Sequence, residues 1–437
     1  MAKIINVKAR EILASGGEPS LQVTVTLEGE ALRQAQGEAL RQAQGEASIS
    51  YGASAGSKEA TVLLDKDLKR YNGKGMQMAV EIINKILGPT IIGMEASEQQ
   101  EIDQKMINLD NTENKAKFGG NAILGVSMAV ARAQACEEKM SLFRYLQKTY
   151  GLKNNILPKP MVVMIEGGKH ADNTTDLQEF CVSAKGNKSA AENVRMEMEI
   201  YQALKKILKR ENLSVNVGNE GAFAPNGIVS NEKPMEYLVE AITNAGYTPN
   251  VDCGISLDAA ASEFSQFDSK SQKTIYNFQT DKKSFNSEEL INYYCEWISK
   301  YPFVSWEDML SEFDFENWPK LLEKINGKFP LIADDLTVTN TKIWKEVIDK
   351  KAANAILIKL NQAGTVTETI ECCKVAIANN CWTVTSHRGG GETNDTFLVD
   401  LAVAVGSEYI KVGPTRGERV EKYNRLMRIE EEINEKK

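Results

Sequence analysis

Ionisable side chains stand at the ends of short apolar segments throughout the second half of the chain. The segments span residues 254–257, 303–306, 330–333, 355–358, 382–385 and 408–410. The ionisable residues, in the same order, are Asp258, Glu307, Asp334, Lys359, His387 and Lys411. Carboxylates on neighbouring strand ends would form an all-oxygen site of the kind that Mg²⁺ prefers. A lysine beside that cation would have a lowered pKa and could abstract a proton next to a substrate carboxylate.

Lys359 is the candidate for that base, because it follows the apolar residues 355–358 directly and so is expected to be buried. Taken alone, it also fits a surface lysine whose methylenes lie along the protein while its amine reaches water. For the whole series, the alternative is that strands simply stop where polar residues begin. That alternative explains isolated polar ends, but not three acids, two lysines and a histidine in register.

The elements that must position these residues alternate in type. Amphipathic stretches that favour helix follow most of the apolar segments, at residues 340–351, 365–379, 393–405 and 418–435. Short buried strands alternating with helices predict an α/β fold in which a parallel sheet closes as a β/α barrel. Active groups of such barrels lie at the carboxyl ends of the strands, where all the ionisable residues above would meet.

Composition describes a globular protein with more than one domain. The chain has 437 residues, of which 42% are hydrophobic and 26% charged, and a net charge of −8 that disfavours nucleic acid as a partner. Apolar stretches fall short of a membrane span, and residues 1–8 favour a strand rather than a signal peptide. Seven cysteines without framework spacing fit a reducing compartment, so we expect a cytoplasmic protein.

The chain contains only two histidines, His170 and His387, and each lies in a glycine-rich polar turn. Together with the residues above, these turns belong to a set of motifs that resembles the enolases, which interconvert 2-phosphoglycerate and phosphoenolpyruvate. The motifs cover residues 52–56, 167–173, 178–180, 219–225, 257–264, 307–308, 333–340, 358–362, 386–388 and 428–432. Their order and spacing along nearly the whole chain make the resemblance specific.

The resemblance implies a role for each site residue. Lys359 would take the C2 proton of the substrate, and Glu220, assisted by Glu179, would act as general acid on the C3 hydroxyl. Two Mg²⁺ ions would be bound per site. The ligands of the first would be Asp258, Glu307 and Asp334, and Ser54 would help to hold the second with the substrate phosphate. The substrate-binding residues would be His170, Gln178, His387, Arg388, Lys411 and Ser54, with His170 and Ser54 on mobile loops.

The resemblance also implies the domain organisation. An N-terminal α+β domain, residues 1–145, would begin with antiparallel strands near 3–13, 20–28 and 46–51. An enolase-type barrel, residues 155–437, would follow, with first elements that depart from simple βα alternation. The protein is expected to be a homodimer.

Some residues depart from the family pattern. Asn219 replaces an aspartate beside Glu220, Glu166 replaces an asparagine before the Gly167-Gly168 pair, and Gly389 replaces a serine. Residues 30–45 consist of an octapeptide and its identical copy, which we interpret as a surface insertion; a partner-binding segment is the alternative.

Two other functions remain alternatives. An acid-sugar dehydratase or racemase on the same barrel is disfavoured because residues 176–179, Asp-Leu-Gln-Glu, stand where such relatives carry Lys-x-Lys. The second alternative is a catalytically weakened enolase that binds plasminogen, at a cell surface or in a secreted pool. The residues that suggest it are the terminal Lys436-Lys437. A charged tail is more often only solvated.

Overall fold

A computed structural model of the chain describes residues 2–28, 43–52, 58–154, 156–268 and 273–435. Ser54, most of the 30–45 repeat and the terminal Lys436 and Lys437 lie outside these described residues.

The strands are β1 Ile4–Leu13, β2 Pro19–Leu27, β3 Gln44–Ile49, β4 Tyr51–Gly52, β5 Lys159–Glu166, β6 Glu179–Ala184, β7 Cys253–Asp258, β8 Ser265–Asp268, β9 Lys273–Phe278, β10 Lys283–Asn286, β11 Phe303–Glu307, β12 Leu331–Ala333, β13 Ala355–Ile358, β14 Trp382–Ser386, β15 Gly390–Gly391 and β16 Tyr409–Val412. The α-helices are α1 Gln77–Ile82, α2 Gly88–Ile91, α3 Gln99–Asp110, α4 Gly120–Glu137, α5 Leu142–Tyr150, α6 Ala190–Arg210, α7 Lys233–Asn244, α8 Ser287–Lys300, α9 Trp318–Ile325, α10 Thr341–Asp349, α11 Leu360–Ala363, α12 Val366–Ala378, α13 Phe397–Val405 and α14 Gly417–Asn434.

The chain divides into two compact units. The N-terminal unit comprises Met1–Ile156, Lys359–Lys374 and Arg388–Gly406. The barrel unit comprises Leu157–Ile358, Val375–His387 and Ser407–Lys437. Two segments that follow barrel strands in the chain therefore group with the N-terminal unit.

The barrel unit contains a closed barrel with strand order β11-β12-β13-β14-β16-β5-β6-β7, which confirms the predicted β/α barrel. β6 pairs antiparallel with both β5 and β7, while the other neighbouring strands pair in parallel. The departure from simple alternation therefore lies at the first strands, as expected. Buried side chains fill the barrel, including Met161, Val163, Ile332, Leu357 and Val384, so it is a packed core rather than a pore.

Most helical predictions agree with the structure to within one or two residues at their starts. α10 begins after Asn340, whose side-chain oxygen accepts hydrogen bonds from the amides of Lys342 and Ile343, a typical N-cap. α13 begins at Phe397 rather than at Thr393, which corrects the predicted start. Thr393 instead donates its hydroxyl to the carbonyl of Ser48 at 3.1 Å within the N-terminal unit, and the Asp395 carboxylate accepts from the amide of Phe397 at the observed start of the helix.

The N-terminal unit contains the predicted antiparallel sheet, in the order β1-β2-β3. α4 packs on this sheet and is buried on nearly all sides, as its apolar sequence requires. β3 begins at Gln44, so Gln44 and Gly45, the last residues of the second octapeptide, belong to a strand. A Cβ on Gly45 would collide with the α4 backbone, so this position requires glycine.

Among the described residues, no helix has the length and apolarity to cross a bilayer. Cys136, Cys181, Cys253, Cys295 and Cys381 are free thiols.

Candidate functional site

A row of acidic residues crosses the rim of the barrel because of the strand register. Glu166 at the end of β5 pairs with Glu179 at the start of β6, and Glu179 pairs with Asp258 at the end of β7. Asp258 in turn pairs with Glu307 at the end of β11. Paired residues of adjacent strands project to the same face of a sheet, so four acids are brought side by side, and each is at most 5% exposed.

Lys411 on β16 supplies positive charge to this row. Its ammonium lies 2.8 Å from Glu179 Oε2, 3.0 Å from Asp258 Oδ2 and 2.8 Å from both oxygens of Glu307. Burial opposes the charge, but these carboxylates outweigh it and hold the pKa of Lys411 well above its usual range. One buried cation therefore compensates three acids that the sequence assigned to different roles.

Glu220 lies between the two histidines of the chain. Its Oε1 is 3.4 Å from His170 Nδ1, and its Oε2 is 3.1 Å from His387 Nε2. His170 Nδ1 is also 3.2 Å from Glu179 Oε1. His387, Glu220, His170, Glu179 and Lys411 thus form a continuous chain of alternating basic and acidic groups, nearly all inaccessible to water.

Arg419 on α14 sets the orientation of the His387 ring. Its Nε–H donates to His387 Nδ1 at 3.2 Å, and the arginine side chain is fully buried. Because Nδ1 accepts that hydrogen bond, the ring proton of neutral His387 lies on Nε2 and is donated to Glu220. Arg419 was not recognised in the sequence, since its position in a helix carries no motif that distinguishes it from a surface arginine.

Burial and neighbouring charges together set the pKa values of Glu220 and His170. Burial would raise the pKa of Glu220, but His387, His170 and Arg419 hold it well below its usual range. Burial would lower the pKa of His170, but the carboxylates of Glu220 and Glu179 raise it to about 9. The Glu220–His170 pair is therefore an ion pair at neutral pH, with the exchangeable proton on the imidazole.

Asp308 fixes the loop that carries Asp334. Its Oδ1 accepts from the Asp334 amide at 3.0 Å and its Oδ2 from the Asp335 amide at 2.8 Å. Its own backbone is left-handed, with φ of 43°, which is costly for a residue other than glycine. The sequence offered a signal for this residue, because Asp308 follows the predicted ligand Glu307 directly.

The donor chemistry of the rim fits a hard divalent cation. Ligand atoms of Asp308, Asp334 and Asp335 lie within 4.8 Å of one another, and so do those of His170, Glu179 and Glu220. Burial raises the pKa of Glu307 well above its usual range, and the nearby carboxylates of Asp258 and Asp334 raise it further. Lys411 opposes this shift but does not cancel it. Crowded, buried carboxylates of this kind are stabilised by a bound cation.

The remaining predicted residues occupy different surroundings. Gln178 precedes β6 and is half-buried. Lys359 and Arg388 belong to the N-terminal unit. Lys359 is half-buried, so the full burial expected from its apolar neighbours was wrong. Arg388 is buried against the Glu59 carboxylate at 3.3 Å, and a Cβ on Gly52 would collide with its guanidinium.

Glu166 is the residue whose importance the sequence understated. It was noted only as a departure, yet it ends a barrel strand with an acid, the same signal that marked Asp258 and Glu307. Burial, and next Glu220, raise the pKa of Glu166 to about 8, so it is largely protonated at neutral pH.

Comparison with known protein families covers almost the whole chain. Residues 4–146 match the family model described as the N-terminal domain of enolase. Residues 154–437 match the model described as the C-terminal TIM barrel domain of enolase. The chain therefore belongs to the enolase family, an enzyme family of lyases that usually binds Mg²⁺.

Proposed function

We propose that this protein catalyses the reversible dehydration of 2-phosphoglycerate to phosphoenolpyruvate. The observation that carries the proposal is the buried carboxylate of Glu220, held between His170 and His387 beside the acidic row of the barrel rim. An acid–base pair next to a cation-binding row suits the loss of a hydroxyl group from a carbon adjacent to an acidified C–H.

The first half of the reaction is proton abstraction. Lys359, in its neutral form, takes the C2 proton, and the electron pair of the broken C–H bond remains with the substrate. Lys411 pairs with the substrate carboxylate. Asp258, Glu307 and Asp334 are the proposed ligands of one Mg²⁺ ion, which when bound would supply positive charge near the substrate carboxylate. Ser54, together with the substrate phosphate, is proposed to hold a second.

The second half is expulsion of the C3 hydroxyl. The C2 electron pair forms the C2–C3 double bond as the C3–O bond breaks, and the leaving hydroxide takes a proton to depart as water. Glu220 delivers that proton, drawing on His170, whose pKa of about 9 keeps it protonated at neutral pH. Glu179, which contacts both His170 and Lys411, keeps the two ends of the site in place.

Arg388 and His387 are proposed to bind the phosphate, and His170 and Gln178 are proposed as further substrate-binding residues. A homodimer in the cytoplasm remains our proposal for the assembly and its location. Plasminogen binding through Lys436 and Lys437 remains a prediction, because those residues lie outside the described part of the chain.

Exchange of the C2 proton with deuterated solvent tests this division of labour. In ²H₂O, wild-type protein with Mg²⁺ should exchange the C2 proton of 2-phosphoglycerate and form phosphoenolpyruvate. Lys359→Ala should lose both, whereas Glu220→Gln should lose product formation and retain exchange. Lys345→Ala and Glu346→Gln, both exposed on α10, are the matched controls.

A folded wild-type protein that neither exchanges the C2 proton nor forms phosphoenolpyruvate would refute the proposed function. Wild-type exchange in Lys359→Ala would refute the assignment of the base while leaving the overall reaction standing.

A further inference from the structure

The carboxyl group of Glu166 holds the backbone of the turn that carries Glu220. Its Oε1 accepts from the amide of Glu220 at 3.1 Å and from the amide of Ala222 at 2.8 Å. Its Oε2 also lies 3.1 Å from the Glu220 amide. Glu166 is 0% exposed, so water does not compete for these hydrogen bonds.

The same turn is anchored from its opposite side. The carbonyl of Gly221 accepts hydrogen bonds from the hydroxyls of Tyr201 at 3.0 Å and Thr415 at 2.7 Å. A Cβ added to Gly218 would lie only 2.8 Å from the carboxyl carbon of Glu166, so the turn packs directly on this side chain. Glu166 thus fixes the amide side of the turn, while the two hydroxyls fix its carbonyl side.

Of the two departures beside the acid, only Glu166 has a buried side chain. Asn219 is exposed, whereas Glu166, the last residue of β5, is buried against the turn. A displacement of the turn would move the Glu220 carboxylate away from both imidazoles: from His387 Nε2, to which it is hydrogen-bonded at 3.1 Å, and from His170 Nδ1, which lies 3.4 Å away.

We propose that Glu166 is a positioning residue for the elimination step: its carboxyl group holds the backbone of Glu220 and so keeps the Glu220 carboxylate between His170 and His387. This inference rests on the proposed function. Glu166 acts through Glu220 and does not itself reach the substrate, so its loss should affect removal of the C3 hydroxyl and spare removal of the C2 proton.

Glu166→Ala and Glu166→Gln separate this role from a general contribution to folding. Oε1 alone accepts both amides, so glutamine can keep those two hydrogen bonds. Glutamine also resembles the protonated carboxyl group that this site favours. We expect Glu166→Ala to lower kcat about 10- to 100-fold, with KM within about threefold, because a small misplacement of a catalytic group has this effect. Glu166→Gln should retain kcat within about threefold.

Two further readouts distinguish positioning from structural damage. Exchange of the C2 proton in ²H₂O should continue in Glu166→Ala at close to the wild-type rate. Amide hydrogen exchange, followed by mass spectrometry on the peptide containing residues 218–222, should be faster in Glu166→Ala and unchanged in Glu166→Gln. If Glu166→Ala does not fold, Glu166→Met takes its place, since methionine fills the space but has no oxygen to accept from the turn amides.

Wild-type kcat in Glu166→Ala or Glu166→Met would overturn the inference. Equal losses of C2 exchange and product formation would overturn it too, because they would show damage to the whole site. An inactive wild-type protein would instead refute the proposed function. Even then, amide exchange at residues 218–222 that is unchanged in Glu166→Ala would refute the positioning role.

Discussion

Replacing Lys411 by methionine removes a buried charge that three carboxylates share. The lysine side chain is 3% exposed, and its ammonium lies within 3.0 Å of Glu179, Asp258 and Glu307. Removing one partner of a buried ion pair costs about 3–5 kcal/mol, because the remaining charge stays buried without compensation. We therefore expect Lys411→Met to lower the free energy of unfolding of the barrel unit by about 3–5 kcal/mol at pH 8 in the presence of chelator.

The cost should depend on pH in a defined direction. Burial, which Lys411 partly offsets, already raises the pKa of Asp258 and Glu307, and losing the lysine raises it further. A carboxyl group with a folded pKa above its unfolded value favours folding in its protonated form, and that contribution is lost as the pH rises. The deficit of Lys411→Met relative to wild type should therefore shrink as the pH falls from 8 towards 5.

Urea unfolding followed by tryptophan fluorescence measures this deficit, because all five tryptophans lie in the barrel unit. Lys300→Met is the control, since Lys300 is 49% exposed and its ion pair with Glu232 should contribute about 0–1 kcal/mol. Added Mg²⁺ should restore more stability to Lys411→Met than to wild type. Equal free energies of unfolding for Lys411→Met and Lys300→Met at pH 8 in chelator would refute this account of the acidic row.

Two other titrations follow from buried groups. The imidazole proton NMR signal of His170, one of only two histidines, should titrate near pH 9 in metal-free protein and shift to lower pH in Glu220→Gln; titration at 6.5 or below would contradict the ion pair with Glu220. Asp103 on α3 is buried, and burial raises its pKa to about 6 although Thr367, Ser127 and Gln99 oppose the shift. An unfolded aspartate titrates near 3.9, so the protonated form of Asp103 favours folding and this contribution is lost as the pH rises. The free energy of unfolding of wild type should therefore fall by roughly 3 kcal/mol relative to Asp103→Asn as the pH rises from about 4 to 6. Urea unfolding followed by circular dichroism checks this difference, and one that did not vary with pH would contradict it.

The barrel could be predicted because its strands are buried on both faces and end in polar residues. Asp258 and Glu307 end β7 and β11, and His387 follows β14 directly. Chain order alone therefore placed them at one rim. The glycine-rich turns around His170 and His387 likewise marked where backbone must approach other groups closely.

The contacts within the site could not be predicted in the same way. Glu220 meets His387 across 167 residues, and Glu166 meets the Glu220 amide across 54 residues. Such pairings depend on how loops fold over the rim rather than on any local pattern. Lys411 was assigned to the substrate, and its position among the acids follows from side-chain packing that only the structure reveals.

The most direct test of the central claim is formation of phosphoenolpyruvate from 2-phosphoglycerate, followed by ultraviolet absorbance. We expect wild-type protein to form product with Mg²⁺ and to stop when chelator is added. Lys359→Ala should form none, while Lys345→Ala should match wild type. Folded wild-type protein that forms no phosphoenolpyruvate with Mg²⁺, or that turns over equally well in chelator, would contradict the account.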